Sequence, residues 1–133
     1  MDSFELDKTI KNDTIFIKEL ELSKLLLCNE SEVLWFILVP KIANITEVSD
    51  LHSGQQIQLI SEIDKVSNFI KENFPCDKLN IANIGNVVSQ LHIHIIARQK
   101  KDKFWPKPIW GLTNKIPYQK PQIKRIKELF KSL

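Results

Sequence analysis

Short apolar runs rich in β-branched and aromatic residues predict five β-strands in this chain. The predicted strands cover residues 14–17, 22–28, 33–39, 78–83 and 88–98. The third run contains no polar residue and stops at Pro40, which is typical of a buried strand. We therefore place it at the centre of the predicted sheet. The short connection at residues 84–86 predicts that the last two strands are antiparallel neighbours.

One long amphipathic helix is predicted between the third and fourth strands, over residues 53–73. Apolar residues recur there at helical intervals, at Ile57, Ile60, Ile63, Val66 and Ile70. Ser53 and Gln56 have the spacing of an N-terminal capping box. Weaker patterns predict a short helix over residues 4–10 and a C-terminal helix over residues 123–133.

Size and composition are those of an ordinary globular protein, and we expect one domain over residues 1–133. The chain is 43% apolar and 26% charged, and at this length it buries roughly two-thirds of the surface that its unfolded form exposes. No apolar run approaches the ~20 residues that span a bilayer, and the N-terminus lacks the regions of a signal peptide. We therefore expect a cytoplasmic protein with no membrane partner. Its two cysteines lack the spacing of a disulfide framework or zinc ribbon.

The net charge of +3 is unevenly distributed along the chain. Residues 1–97 contain 8 Lys or Arg and 14 Asp or Glu, whereas residues 98–133 contain 11 and 2. Such a basic region raises the local concentration of anionic ligands such as nucleotides. For the lysines of the C-terminal helix we favour a solvated face, and no specific nucleic-acid partner is indicated.

The fifth predicted strand carries the residues that point to chemistry. Side chains alternate along a strand, so Gln90, His92 and His94 are expected to share one face while the apolar residues between them share the other. An imidazole with a pKa near 6.5 is largely neutral at pH 7 and can attack phosphorus. His92 is placed for that role, and His94 or Gln90 can donate to the phosphate oxygens.

Two other interpretations of this strand are weaker. A His-x-His pair also begins the metal site of cupin-like barrels, but such sites need a further carboxylate nearby, where this chain has Arg98. His52 is the only other imidazole. An exposed strand face with two incidental histidines is also disfavoured, because such faces usually carry Thr, Lys or Glu. We expect neither a metal nor another cofactor.

The segment from Asn80 to Arg98 resembles the signature of the histidine triad (HIT) family. That signature has three histidines that alternate with apolar residues, followed by an apolar pair and often an arginine. Further segments fall in the expected order: residues 36–41, which end in Pro-Lys, the helix from residue 53, and Trp105-Pro106. The resemblance covers about residues 14–111, and the basic extension over residues 112–133 is outside it.

The resemblance implies an α+β, HIT-like fold with a five-stranded antiparallel sheet, continued across a homodimer. It also implies a hydrolase or transferase that acts at the α-phosphate of a nucleotide, of the dinucleoside polyphosphate or nucleoside phosphoramidate type. The reaction would proceed through a nucleotidyl-histidine intermediate without a required metal. The middle motif position, the nucleophile, is His92, and the third position, which supports the phosphate oxygens, is His94.

The chain departs from the family pattern at three positions, each of which removes or shortens a donor. Gln90 stands at the first motif histidine, Trp35 where many relatives have another histidine, and Asn86 where a glutamine is frequent. Gln90 cannot shuttle protons, and general acid-base help is typically worth 10² to 10⁴ in rate. The alternative is therefore a nucleotide-binding module with weak catalysis. The residues expected to bind substrate are Asn80, Asn86, Arg98 and Trp105.

Overall fold

An open antiparallel sheet of five strands forms the centre of the computed structural model, which describes residues 3–133. The strands are β1 (Thr14–Glu19), β2 (Ser23–Cys28), β3 (Leu34–Pro40), β4 (Lys78–Ala82) and β5 (Ile93–Arg98). They lie in the order β1-β2-β3-β5-β4, and each neighbouring pair is antiparallel. The apolar run that ends at Pro40 is thus the central strand, as predicted, and β4 pairs with β5.

Three α-helices accompany the sheet, and together they give the expected α+β fold. They are α1 (Lys8–Asp13), α2 (Ser53–Asn73) and α3 (Lys120–Phe130), with a short 3₁₀-helix at Val48–Asp50 before α2. Within residues 3–133, no helix combines the length and apolar character that crossing a membrane requires.

α2 has the predicted ends, at residues 53 and 73, whereas the ends of α1 and α3 differ from the predicted ones. α1 begins at residue 8 and not at residue 4, since the Asp7 carboxylate accepts from the amide of Thr9 at 2.8 Å. The capping box of α2 uses His52 and Gln55, so the predicted pair of Ser53 and Gln56 was wrong. α3 starts three residues earlier than predicted and ends at Phe130.

The two faces of the sheet have different covers. On one face, α2 and α3 pack on alternate residues of β2, β3 and β5 and form the main core. We call the other face the histidine face. It presents Leu26 from β2, Trp35, Ile37 and Val39 from β3, and His94, Ile96 and Arg98 from β5.

Two irregular segments cover the histidine face from opposite ends. Phe4, Leu6 and Ile10 from the N-terminal region pack near Leu26 and Ile37. Phe104, Ile109 and Trp110, which follow β5, pack with Val33 and Ile96. His94 therefore lies on the sheet face that carries no long helix, and the ring of His92 is 4.8 Å from its ring.

The fifth strand is shorter than predicted. β5 begins at Ile93, so residues 88–92, including Gln90 and His92, lie in an irregular segment before it. The amide of Leu91 donates to the carbonyl of Ile45 at 3.0 Å and not to a neighbouring strand of the sheet. Strand alternation therefore cannot be what orients Gln90 and His92, and their directions depend on their own hydrogen bonds.

Candidate active site

His92 is held by a single short hydrogen bond to the main chain. Its Nδ1 lies 2.7 Å from the carbonyl oxygen of Gln90, and only 6% of the residue is exposed. Because a carbonyl oxygen can only accept, the network assigns the proton of the neutral ring to Nδ1. Nε2 then carries the free electron pair, and a ring in this state can act as a nucleophile.

His94 is held in the opposite tautomer. The indole Nε1–H of Trp35 donates to its Nδ1 at 3.0 Å, so the proton of the neutral ring lies on Nε2. That nitrogen lies 3.2 Å from the carbonyl oxygen of Ile84, to which it donates. Trp35 therefore supplies a donor, and the expectation that tryptophan at this position removes one was wrong.

Burial keeps the His94 ring neutral. The ring is 6% exposed, and desolvation lowers its pKa from 6.5 to about 4, while the Ile84 carbonyl raises it and the nearby His92 lowers it slightly further. At neutral pH the ring is therefore an uncharged hydrogen-bond donor through Nε2. It cannot serve as a cation there.

The two histidine rings lie close together, next to two tryptophans. The ring centroids of His92 and His94 are 4.8 Å apart and the rings are nearly perpendicular. Trp110 presents its edge to His94 at 5.2 Å and to Trp35 at 6.1 Å. The sequence offered no signal that separates Trp110 from Trp105, because both stand in the same proline-rich segment.

The side chain of Gln90 binds the N-terminal segment. Its Oε1 accepts from the amide of Asp7 at 2.9 Å, and its Nε2 donates to the carbonyl of Glu5 at 2.8 Å. The carboxamide therefore binds the N-terminal segment, while the carbonyl of the same residue binds His92. This pairing joins residues more than 80 positions apart, so no local pattern could have indicated it.

Arg98 and Asn80 belong to a separate, buried cluster. Arg98 is 1% exposed and binds both oxygens of Asp102, at 2.8 and 3.1 Å. It also donates to the side chain of Asn80 at 3.1 Å and to the carbonyl of Lys107 at 2.7 Å. Four residues of strand separate Arg98 from His94, or about 13 Å. Within residues 3–133, these bonds direct both side chains at protein groups and not at the histidines.

The remaining two substrate-binding candidates lie in different places. Asn86 is exposed in a bend of the loop whose Ile84 carbonyl binds His94. A Cβ on Gly85 in that loop would come within 2.9 Å of the Val88 carbonyl, so the tight path requires glycine. Trp105 stacks near the guanidinium of Arg98, at 5.5 Å. Asn86 is therefore two residues from the carbonyl that binds His94, whereas Trp105 contacts Arg98.

The histidines are not the residues that line the main cavity described in the structure. A cavity of about 270 Å³ lies near the start of α3 and is lined by residues such as Ser31, Gln99, Tyr118 and Arg125. None of the predicted site residues lines it. Among residues 3–133, no group of three or more His, Cys, Asp or Glu side chains is arranged to hold a metal ion.

Comparison with known proteins identifies the family. A model of the HIT domain matches residues 9–101. No curated protein sequence matches the chain at a significant level. A solved histidine triad protein from Bradyrhizobium japonicum is 40% identical, with a TM-score of 0.96 and 98% of each chain covered.

Two further solved histidine triad proteins are similar over nearly the whole chain. The one from Marinobacter aquaeolei VT8 is 36% identical, with a TM-score of 0.96, and covers 98% of this chain and 96% of its own. The one from Sinorhizobium meliloti 1021 is 35% identical, with a TM-score of 0.94, and covers 98% and 97%. Coverage of this extent includes the C-terminal segment, which lies beyond the family model. The chain therefore belongs to the histidine triad family.

Proposed function

We propose that the protein is a nucleotidyl hydrolase or transferase that forms a covalent intermediate on His92. Its substrate would be a nucleotide of the dinucleoside polyphosphate or nucleoside phosphoramidate type, attacked at the α-phosphate. Membership of the histidine triad family supports the general class, nucleotide binding with hydrolysis or transfer. The observation that carries the proposal is the 2.7 Å bond from His92 Nδ1 to the Gln90 carbonyl, because it leaves Nε2 unprotonated.

The proposed reaction has two displacements at phosphorus. In the first, His92 Nε2 forms a bond to the α-phosphorus, and the bond to the leaving group breaks with its electron pair. In the second, the oxygen of a water molecule, or of another acceptor, attacks the same phosphorus and loses a proton to the solvent. The bond from Nε2 to phosphorus then breaks and restores the neutral ring. Dividing the reaction in this way replaces one difficult step by two easier ones.

The neighbours of His92 support this chemistry. Attack places positive charge on the ring, and the Gln90 carbonyl that accepts from Nδ1 stabilises that charge in both steps. The Nε2–H of His94 donates to the Ile84 carbonyl over a long 3.2 Å, and we propose that a phosphate oxygen of the substrate replaces this carbonyl as its acceptor. Trp35 keeps that N–H in place by donating to the other nitrogen. Asn86 follows two residues after Ile84 in the same loop.

A nucleotide-binding protein with weak catalysis is the second candidate function. It is favoured by the occupied carboxamide of Gln90, which leaves no acid or base at the first motif position. Arg98 and Asn80 bind each other, so we propose that they and Trp105 shape the site rather than contact the substrate. The two candidates differ in one observable species, the covalent adduct.

Intact-protein mass spectrometry after acid quenching separates the two functions. The protein is incubated briefly with diadenosine polyphosphates and an adenosine phosphoramidate, as wild type, as His92→Ala and as His52→Ala. His52 is the matched control, since it is the only other histidine and caps α2. We expect a nucleotidyl adduct in wild type and His52→Ala only, and turnover lowered ~10³-fold or more in His92→Ala. If wild type binds the nucleotides but gives neither adduct nor product, the result supports the second function, a nucleotide-binding protein with weak catalysis.

We also propose that two copies pair through β4 to continue the sheet. β1 and β4 are the two edge strands. β1 has an irregular register between Phe16 and Lys18, and an irregularity of this kind makes an edge strand less able to pair with another chain. Its Lys18 amine also donates to main-chain carbonyls at the end of α3. β4 pairs regularly with β5 and exposes Ile81, and α2 exposes Ile57 and Ile60. Exposed apolar residues of this kind are typical of a protein interface.

A further inference from the structure

The N-terminal segment of residues 4–7 is attached to the histidine face by one side chain from the other end of the sequence. The carboxamide of Gln90 accepts from the amide of Asp7 and donates to the carbonyl of Glu5. It therefore binds the segment as a neighbouring strand would. Among side chains of this length, only an amide presents an acceptor and a donor on the same planar group.

Packing also holds the segment at this place. Phe4 and Leu6 are half-buried and pack with the cluster that contains Leu26 and Ile37 of the histidine face. Trp35, the donor to His94, belongs to the same cluster. The carboxylate of Asp7 then caps α1, so the segment is fixed at both of its ends.

The same residue that binds the segment also sets the state of the nucleophile. The Gln90 carbonyl accepts from His92 Nδ1 at 2.7 Å, and Gln90 lies outside any strand. No sheet ladder fixes its backbone. The Leu91 amide of the same peptide group donates to the Ile45 carbonyl at 3.0 Å. The two bonds to residues 5 and 7 add a second restraint on Gln90, through its side chain.

We propose that Gln90 is a positioning residue that couples the N-terminal segment to His92. Its carboxamide holds the segment on the histidine face, and this restraint acts together with the Leu91 amide bond to Ile45 to fix the carbonyl that keeps His92 protonated at Nδ1. The catalytic part of the inference rests on the proposed function of His92. Loss of the segment should therefore have the same effect on His92 as loss of the carboxamide.

Two variants remove the coupling from its opposite ends. Gln90→Glu keeps the shape of the side chain but replaces the donor to Glu5 by an oxygen, which repels that carbonyl. Deletion of residues 1–6 removes Phe4, Leu6 and the Glu5 carbonyl, and it leaves Gln90 and the Asp7 cap of α1 intact. Asn29→Ala is the matched control, because the Asn29 amide oxygen also binds a distant backbone, at the amide of Tyr118, at 2.8 Å. Asn29 directly follows β2, beside the start of β3, whereas His92 precedes Ile93, which pairs near the other end of β3.

Nitrogen-15 NMR of the histidine rings gives a readout that is independent of activity. We expect wild type and Asn29→Ala to show His92 as the Nδ1–H tautomer, and both coupling variants to show a mixture of tautomers. With the adenosine phosphoramidate, we expect kcat to fall ~10-fold or more in both variants, because a misplaced nucleophile loses rate steeply. KM should change less than kcat, since the ring and not the binding surface is disturbed.

The possible results are distinguishable. The coupling is wrong if His92 keeps its tautomer in both variants, if only Gln90→Glu changes it, or if Asn29→Ala changes it equally. Should the deletion fail to fold, Gln90→Glu alone decides by the same readout. A tautomer shift in both variants without turnover in wild type would support the coupling and reject the proposed function.

Discussion

Two chemically identical side chains carry opposite protonation patterns because of single hydrogen bonds. A carbonyl fixes the proton of His92 on Nδ1, whereas an indole donor fixes that of His94 on Nε2. One ring therefore presents a bare nitrogen and the other an N–H, at a centroid distance of 4.8 Å. A nucleophile and a donor are the two groups that displacement at a phosphate requires.

Replacement of Trp35 by phenylalanine should test the tautomer of His94. Trp35→Phe keeps an aromatic ring but removes the donor to Nδ1, so the Nε2–H form is no longer enforced. A hydrogen bond of this kind contributes about 1 kcal/mol, so we expect roughly a fivefold loss of kcat and a mixed tautomer by NMR.

Trp110→Phe is the matched control for this measurement. Its buried Nε1 has no hydrogen-bond partner among the described residues, so the substitution removes an indole N–H without breaking a bond. The His94 tautomer should then stay as in wild type. Equal changes in both variants would indicate that ring size, and not the donor, governs His94.

The depressed pKa of His94 predicts how stability depends on pH. In the unfolded chain an imidazole titrates near 6.5, whereas in the folded protein burial lowers the pKa of His94 to about 4. Below pH 6.5 the unfolded state binds the proton first, so stability is complete above this pH and falls as the pH approaches 4. Between pH 7 and 5 the loss should be about 2 kcal/mol. Urea unfolding of wild type and His94→Asn measures it, and parallel curves would contradict the shift.

At the scale of elements, the strands and α2 were predictable because their patterns are local. The continuous apolar run of β3 and the helical repeat of α2 each specify one structure without outside information. The N-terminal boundary of β5 was not predictable, because the Leu91 amide bonds to Ile45, almost fifty positions away. The sequence thus located the two histidines, while their partners Trp35 and Ile84 come from other elements.

The segment after β5 depends on one buried ion pair. Burial of Asp102 raises its pKa, but bonds from Arg98 and from the amides of Phe104 and Gln99 outweigh this and hold that pKa below its usual range. Asp102→Ala leaves the charge of Arg98 buried without its carboxylate, which typically costs about 3–5 kcal/mol. We expect a loss of this size in the free energy of unfolding, measured by urea denaturation.

Glu128→Ala gives the comparison for an exposed pair. Glu128 binds Lys131 at 3.0 Å on the surface of α3, and such pairs contribute about 0–1 kcal/mol. If Asp102→Ala and Glu128→Ala lower the free energy of unfolding equally, the buried ion pair of Arg98 stabilises the fold no more than an exposed pair does. The double variant Arg98→Met with Asp102→Ala should be more stable than Asp102→Ala alone, because it removes the unpaired charge.

At the scale of the whole molecule, one face of the sheet carries the main hydrophobic core and the other face carries the candidate active site. α2 and α3 bury the main core on one face, and the histidines lie on the other face between two irregular covers. One cover precedes β1, at residues 4–10, and the other follows β5, at residues 104–110. Their arrangement follows from packing across the sheet, which explains why the sequence pattern identified the candidate nucleophile but not its surroundings.

The open edge of the sheet at β4 predicts that two copies of the chain pair there. Ile81 on β4 and Phe16 on β1 are matched probes, since both are apolar and are 46% and 48% exposed on opposite edge strands. We expect wild type to sediment as a dimer and Ile81→Lys to sediment near the 15.5 kDa of one chain, because a buried unpaired lysine opposes association. Phe16→Lys should remain a dimer. A monomeric wild type would reject the assembly, and dissociation by Phe16→Lys alone would move the interface to β1.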